Sequence, residues 1–204
     1  MSAPTPRVRL APDARREQLL DLGVRMLSTG SLDELSIERL AEEAGVSRGL
    51  LYHYFESKTE FRLAVCRRAA DELVTRTAPA PDGEPLDRLM TSLDAYVDYV
   101  SENYAGYTSL LRSAAGGNDE LREIYEQARA ALTDRIFDVA DADGILEAIS
   151  PQGDTPATRL MVRGWSALAE EVVVSWVRDH RGVSRQDLLT LLAAALPGVL
   201  PGAS

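Results

Sequence analysis

The sequence predicts an all-α protein. Apolar residues recur three and four apart through most of its 204 residues, and no run alternates with period two between hairpin turns. Serine, glycine and proline also punctuate the periodic stretches where helices start and stop.

A first helix is expected over Asp13–Thr29, with Leu20, Val24 and Leu27 on one face and Leu19 and Gly23 beside them; Gly30 stops it. Ser36 caps a short helix through Ala44, because its hydroxyl accepts an early backbone N–H and the run from Arg39 is dense in helix formers. Gly45 ends that helix. Ser47 caps a third, through about Tyr54, and Ser57 with Glu60 three residues later is a capping box that opens a fourth, through about Arg76. Residues 78–85 hold three prolines and a glycine and cannot stay helical, so a joint belongs there. Further helices are expected over 85–102, 104–114, 118–141, 156–181 and 184–196.

This length fits one large domain or two small ones. The single cysteine, Cys66, excludes a disulfide framework and any multi-cysteine zinc or iron–sulfur site. The most apolar stretch, Leu188–Leu196, is interrupted by Thr190 and is far shorter than the roughly 18 residues that suggest a membrane span. Met1–Pro12 has arginines but no apolar core of a secretory signal. A soluble cytoplasmic protein is expected, with no membrane partner.

The net charge of −10 argues against broad attraction to nucleic acid or anionic lipid. It is unevenly spread. Residues 1–77 carry 12 basic and 12 acidic side chains, whereas residues 78–204 carry 10 and 20, so the acidic excess lies wholly in the second part.

The segment that carries chemistry is residues 36–54, two short capped helices about Gly45. Ile37, Leu40 and Ala41 are expected to pack inward, and glycine lets the chain turn sharply. This is a helix-turn-helix pattern, whose second helix is narrow enough to enter the major groove. Any small helical bundle can hold two short helices about a glycine, so the pattern alone leaves a plain structural reading open. The wider segment around it is more specific. Leu19-Leu20, Gly30, Ser36-Ile37, Leu40-Ala41, Ala44-Gly45-Val46-Ser47, Leu51-Tyr52 and Tyr54-Phe55-Glu56-Ser57-Lys58 stand in one order over Gln18 to about Val65. In these residues the sequence closely resembles the N-terminal domain of the TetR family of transcriptional regulators.

That resemblance implies a two-domain helical homodimer. Residues 1–60 would hold an N-terminal arm and a three-helix DNA-binding domain; residues 61–204 would bind a small-molecule effector and dimerise, with a linker helix over 58–76 and the Pro-rich joint at 78–85. It implies further that Ser47, Arg48, Gly49, Leu50, Tyr52 and His53 face the groove of a double-stranded operator, and that Tyr54 and Lys58 hold phosphates. The chemistry is compatible. Arg48 can present two parallel donors to guanine, and tyrosine and lysine can pin the backbone without reading sequence. Ser36, at a helix start, can hold a phosphate through its hydroxyl and the exposed N–H groups. Leu50 offers only apolar contact, as with a thymine methyl. Leu51 and Phe55 are expected in the core, and Tyr52 half in it. Lys58 is the only lysine in the chain. Arg7 and Arg9 suit either a minor-groove arm or a frayed terminus.

The chain departs from the family pattern between Gly30 and Ser36, where Ser-Leu-Asp-Glu-Leu is one residue longer than usual and lacks the aromatic commonly found just after the glycine. A local loop adjustment is expected.

The body is less specific. Met90, Tyr96, Asn103, Tyr107, Leu111, Phe137, Met161 and Trp165 are candidates to line an effector pocket, since methionines and hydroxyl-bearing aromatics at helical spacing can wall an apolar cavity; ordinary core is the rival reading. Arg112 and Arg163 are further candidates to orient a polar head. Leu168, Val172, Trp176, Leu188 and Leu192 are candidates for a two-fold interface, because the last two long helices can form a four-helix bundle with a second copy. Glu170-Glu171 is expected to be a surface pair.

The two histidines, His53 and His180, lack metal-site spacing, and there is no nucleophile elbow, P-loop or dinucleotide motif. No cofactor and no enzymatic activity are expected. The expectation is a ligand-responsive transcriptional regulator, a repressor of a palindromic operator. The alternatives are an all-helical adaptor or small-molecule-binding protein without DNA binding, and a small helical enzyme.

Overall fold

The computed structural model describes residues 12–142 and 152–200, which form nine helices and no strand. These are α1 (Pro12–Thr29), α2 (Ile37–Ala44), α3 (Arg48–Tyr54), α4 (Lys58–Arg76), α5 (Pro85–Glu102), α6 (Tyr104–Ala115), α7 (Asp119–Ala142), α8 (Pro156–Arg178) and α9 (Arg185–Val199). Arg7, Arg9 and most of the loop expected over 143–156 lie outside the described residues.

The serine caps are formed. Ser36, Ser47 and Ser57 each accept the backbone N–H three residues on, at 3.2, 3.3 and 3.0 Å, an arrangement that contributes about 1 kcal/mol per helix start. Thr155 and Ser184 do the same for α8 and α9. The capping box at Ser57 is only half made: the Glu60 carboxylate turns to Arg16 of α1 at 3.0 Å.

Apolar burial divides into two clusters. In the first, Leu19, Leu20 and Leu27 of α1, Ile37 and Leu40 of α2, Leu51 of α3 and Phe61, Val65 and Cys66 of α4 pack together, joined by Leu121 and Ile124 of α7. In the second, Leu93, Val97 and Val100 of α5 meet Val162, Trp165 and Val173 of α8 and Leu188, Leu192 and Leu196 of α9. Each fully buried leucine or phenylalanine contributes about 1.5–3 kcal/mol. The expected boundary at 60/61 falls inside the continuous helix α4, whose Phe61, Leu63, Val65, Cys66 and Ala69 belong to the first cluster.

Two elements differ from the sequence expectation. α8 stops at Arg178, not 181, because Asp179 is extended and accepts the Arg181 N–H, while Arg181 and Gly182 take left-handed φ values of 50° and 77°. α9 runs past Pro197, which stands in its last turn where the missing N–H costs one bond, and closes with Leu200 N–H on the Pro197 carbonyl at 3.1 Å. Between Gly30 and Ser36 the chain forms two tight turns, Glu34 N–H to Ser31 O and Leu35 N–H to Leu32 O, and sends both Leu32 and Leu35 into the core.

Candidate nucleic-acid interface and interior cavity

α3 is seven residues long, so its orientation depends on what anchors it. Leu51 is fully buried, as is Phe55 just after the helix, whose ring meets Phe61 of α4 edge-on at 5.0 Å between centroids. The turn from α2 is made at Gly45, whose φ of 62° a side chain rarely adopts and whose neighbour Val46 donates back to Ala41 O at 3.0 Å. With one side fixed, the opposite side is presented outward. Ser47, Arg48, Gly49, Leu50, Tyr52, His53 and Lys58 are exposed, Leu50 by 38% and Tyr52 by 51%; Tyr52 therefore stands further out than the half-core position expected. Ser36 and Tyr54 are half-buried, and the Tyr54 ring meets the His53 ring edge-on.

The charge of this face is distinctive. Most neighbouring arginines are committed: Arg16 to Glu60, Arg39 to Glu34, Arg68 to Glu17 and Asp21, and Arg62 to the carbonyls of Leu35 and Asp33. Among the described residues neither Arg48 nor Lys58 makes an ion pair. Both lie close enough to Glu38, at the start of α2, to help hold its carboxyl below the usual range, after the larger effect of a backbone hydrogen bond. The free cations, the exposed start of α2 and the outer side of α3 thus share one face.

The second feature lies inside. A cavity of about 400 Å³ is bounded by α1 and α4 to α9, with Leu27, Leu73, Leu93, Ile136, Trp165 and Leu196 among its apolar walls. Ligand pockets commonly measure about 300–1,000 Å³. One end is polar. Tyr107 OH donates to Glu170 Oε2 at 3.1 Å and Tyr125 OH to Glu170 Oε1 at 3.0 Å; the hydroxyl oxygens of Tyr96 and Tyr107 are 2.8 Å apart. Arg129 closes the set, donating to Tyr125 OH, Ser166 Oγ and the Arg163 carbonyl at 3.0, 3.1 and 3.0 Å. Burial pushes Glu170 above its ordinary carboxyl range and raises all three tyrosines.

Of the residues expected in a pocket, Tyr96, Asn103, Tyr107, Leu111 and Trp165 line this cavity. Met90, Phe137 and Met161 do not: Met90 packs against the second cluster, Phe137 is buried in it beneath the Arg159 guanidinium, and Met161 is 40% exposed. Arg112 is exposed and Arg163 pairs with Glu126. Glu170 overturns the surface-pair expectation, since only Glu171 faces out. The register of α8 held the signal: Val162, Trp165, Ala169 and Val173 form its buried stripe, which Ser166 and Glu170 flank. Tyr125 and Arg129, one turn apart on α7, were missed for the same reason.

The candidates for a two-fold interface separate too. Leu168 is 47% exposed, whereas Leu188 and Leu192 are each 2% exposed and face inward, where Trp165 Nε1 donates to Leu192 O at 3.0 Å. Val172 and Trp176 are half-buried, and Trp176 stacks on His180 at 4.0 Å. The exposed large apolar residues of α8 and α9 are Leu160, Met161, Leu168 and Leu191.

Comparison with known proteins gives this arrangement its place. Residues 19–65 match the family model described as bacterial regulatory proteins, tetR family, and residues 85–196 match the tetracyclin repressor-like C-terminal domain. The chain belongs to the TetR family of transcriptional regulators. A TetR-family regulator from Streptomyces coelicolor has a solved structure that superposes with a TM-score of 0.78 at 31% identity, over 93% of this chain and 82% of that one. The transcriptional activator FasR of Mycolicibacterium smegmatis is 27% identical over 87% of this chain and 78% of its own. The nucleoid occlusion factor SlmA of Haemophilus influenzae is 31% identical over 57% of this chain and 53% of its own. This TetR-family chain is thus a DNA-binding regulator with an N-terminal helix-turn-helix and a helical C-terminal domain. Among its described residues no helix is long and apolar enough to cross a membrane, and no three histidine, cysteine or acidic side chains are grouped to hold a metal.

Proposed function

We propose that the protein is a homodimeric, ligand-responsive repressor, in which residues 1–60 grip a palindromic operator and residues 61–204 bind a small effector and hold the two copies together. Ser47, Arg48, Gly49, Leu50, Tyr52 and His53 read the groove; Tyr54, Lys58 and the start of α2 at Ser36 hold phosphates. Two copies of α3 about one duplex turn apart, roughly 34–36 Å, occupy successive major grooves. The second copy docks on the face that carries Leu168, Met161 and Leu191.

The observation that carries this reading is the reach of the cavity. Its wall includes Val24, Leu27 and Ser28 of α1, the helix whose Leu19 and Leu20 pack in one cluster with α3, and it includes Tyr107 and Leu111 of α6. α6 in turn meets the head directly, through Ser109 Oγ, which accepts the Leu32 N–H at 3.1 Å. A molecule in the cavity touches both sides of that contact. It therefore shifts the spacing of the heads by whatever difference in affinity it has for the two arrangements, and DNA shifts ligand affinity by the same factor.

Repression needs no contact beyond DNA and a second copy, whereas activation needs a surface for the transcription machinery. The name of the relative FasR shows that the sign can differ. The test is selection of bound fragments from genomic DNA, followed by a screen for compounds that release the best one and a reporter assay on its promoter. Enrichment of a palindrome, its release by a compound and higher reporter output on deleting the regulator are the expected results. No enriched DNA contradicts DNA control, and lower output on deletion makes the regulator an activator.

A further inference from the structure

The polar end of the cavity limits what can bind there, and the proton positions can be counted. Tyr107 has one hydroxyl hydrogen and gives it to Glu170; Tyr125 gives its own to the other carboxylate oxygen. The 2.8 Å bond between Tyr96 and Tyr107 must then be donated by Tyr96. All three hydroxyl hydrogens are consumed within the wall, in a chain that ends on a carboxylate. What the tyrosines and Glu170 still offer is lone pairs: those of Tyr96 Oη, whose hydroxyl accepts nothing among the described residues, and the spare positions on the Glu170 oxygens. Arg129 spends three of its N–H donors on Tyr125, Ser166 and the Arg163 carbonyl, and its charge offsets that of Glu170. Two further polar side chains of the lining are similarly engaged, whereas the Ser92 hydroxyl, one turn before Tyr96 on α5, is buried without a hydrogen-bond partner among the described residues and can donate or accept. Arg135 donates to Val74 O and Thr77 Oγ1 at 2.8 and 2.6 Å, at the C-terminal end of α4 where carbonyls favour a cation. Asn103 donates to Tyr99 O.

From this we infer that the Tyr96–Glu170 end of this cavity takes the hydrogen-bond-donating head, an ammonium or a hydroxyl, of an otherwise apolar molecule, and disfavours a carboxylate at that position. The apolar walls take the body of such a molecule, and the acceptor end leaves an anionic head facing lone pairs in a medium where an unmatched charge is costly. The inference rests on the reading of this cavity as the effector site.

The test uses decylamine, decanol and decanoate, which share a chain length and differ in head. Trp165 lines the cavity and Trp176 is the only other tryptophan, so Trp176→Phe leaves a single fluorescent reporter. Titration of this protein without DNA is expected to shift Trp165 emission at concentrations at least about tenfold lower for decylamine and decanol than for decanoate. Glu170→Gln is expected to narrow the advantage of decylamine over decanoate. Tyr96→Phe, which leaves the Tyr107 bond to Glu170 in place, is expected to weaken decanol about tenfold and serves if the Gln variant loses its helical circular dichroism. Equal or tighter binding of decanoate, no shift with any of the three, or head preferences unchanged in a folded Glu170→Gln or Tyr96→Phe protein would each overturn the inference. Release of operator DNA is measured separately: an amine or alcohol that binds as expected yet leaves DNA bound contradicts the effector reading and leaves the head preference standing.

Discussion

A Cβ on Gly106 would lie 2.3 Å from the carbonyl oxygen of Leu27, so α6 touches α1 backbone to side, with no room for a methyl group. The contact joins the cavity-lining helix to the head, and glycine is what permits it. Gly106→Ala gains up to about 1 kcal/mol of helix propensity but forces the helices apart, which costs about 1–3 kcal/mol. A net loss of stability in urea unfolding is expected, with altered DNA affinity at fixed salt. An Ala variant of undiminished stability would mean that the contact is slack.

The free cations set a second expectation. Lys58→Ala is predicted to weaken binding uniformly across DNA sequences and to lower the slope of log affinity against log salt by about 0.9. Replacing Tyr54 by Phe as well removes a second phosphate contact, and operator binding should be lost with dimerisation intact. Arg48→Ala should instead relax specificity at one base pair, by about 1–3 kcal/mol. Competition binding with single-base operator variants separates the two behaviours.

Cys66 is fully buried, and burial pushes its thiol from 9.0 up to about 12. The thiolate is the reactive form. Native protein is therefore expected to resist a thiol reagent at mildly alkaline pH, and the thiol should react stoichiometrically once urea unfolds the chain. Rapid labelling without urea would contradict the packing of α4 against α1.

Glu170 predicts a pH dependence with a definite sign. Its native value is raised above the ordinary 4.5, so the folded protein holds this proton more tightly than the unfolded chain. Its contribution is most favourable below 4.5 and is lost as pH rises through the raised native value. The groups facing it are Tyr96 from α5, Tyr107 from α6, Tyr125 and Arg129 from α7, and Glu171 on its own helix. Urea unfolding across the weakly acid range should show wild type losing stability relative to Glu170→Gln as pH rises. A constant difference would place Glu170 in contact with solvent.

The exposed face of α8 and α9 carries a further expectation. Leu168 and Leu191 are 47% and 64% exposed, and Leu191→Glu should convert the proposed dimer to a folded monomer in analytical ultracentrifugation, whereas Leu192→Glu should unfold the subunit.

The head was legible because each of its structural decisions sits on a local residue. The serines at 36, 47 and 57 cap, Gly45 turns, and Leu51 and Phe55 can only face in, which leaves the remainder of α3 outward. The body was legible in helix number and order but not in facing. Leu188 and Leu192 fit an outward stripe as well as an inward one, and only the packing of Trp165 onto the Leu192 carbonyl fixes the choice. Glu170 reads as surface because an isolated carboxylate belongs there; its burial depends on Tyr107 and Tyr125, 63 and 45 residues away. The end of α8 and the continuation of α9 past Pro197 turn on capping bonds that composition does not reveal.

The most direct test of the account is a hydroxyl-radical footprint on the best selected DNA fragment, with wild type and with a variant carrying Arg48→Ala and Lys58→Ala. Two copies of α3 in successive grooves give two protected half-sites on one side of the duplex, centred about 10 base pairs apart, both lost in the variant. Absence of protection, or a footprint that the variant reproduces, would contradict it.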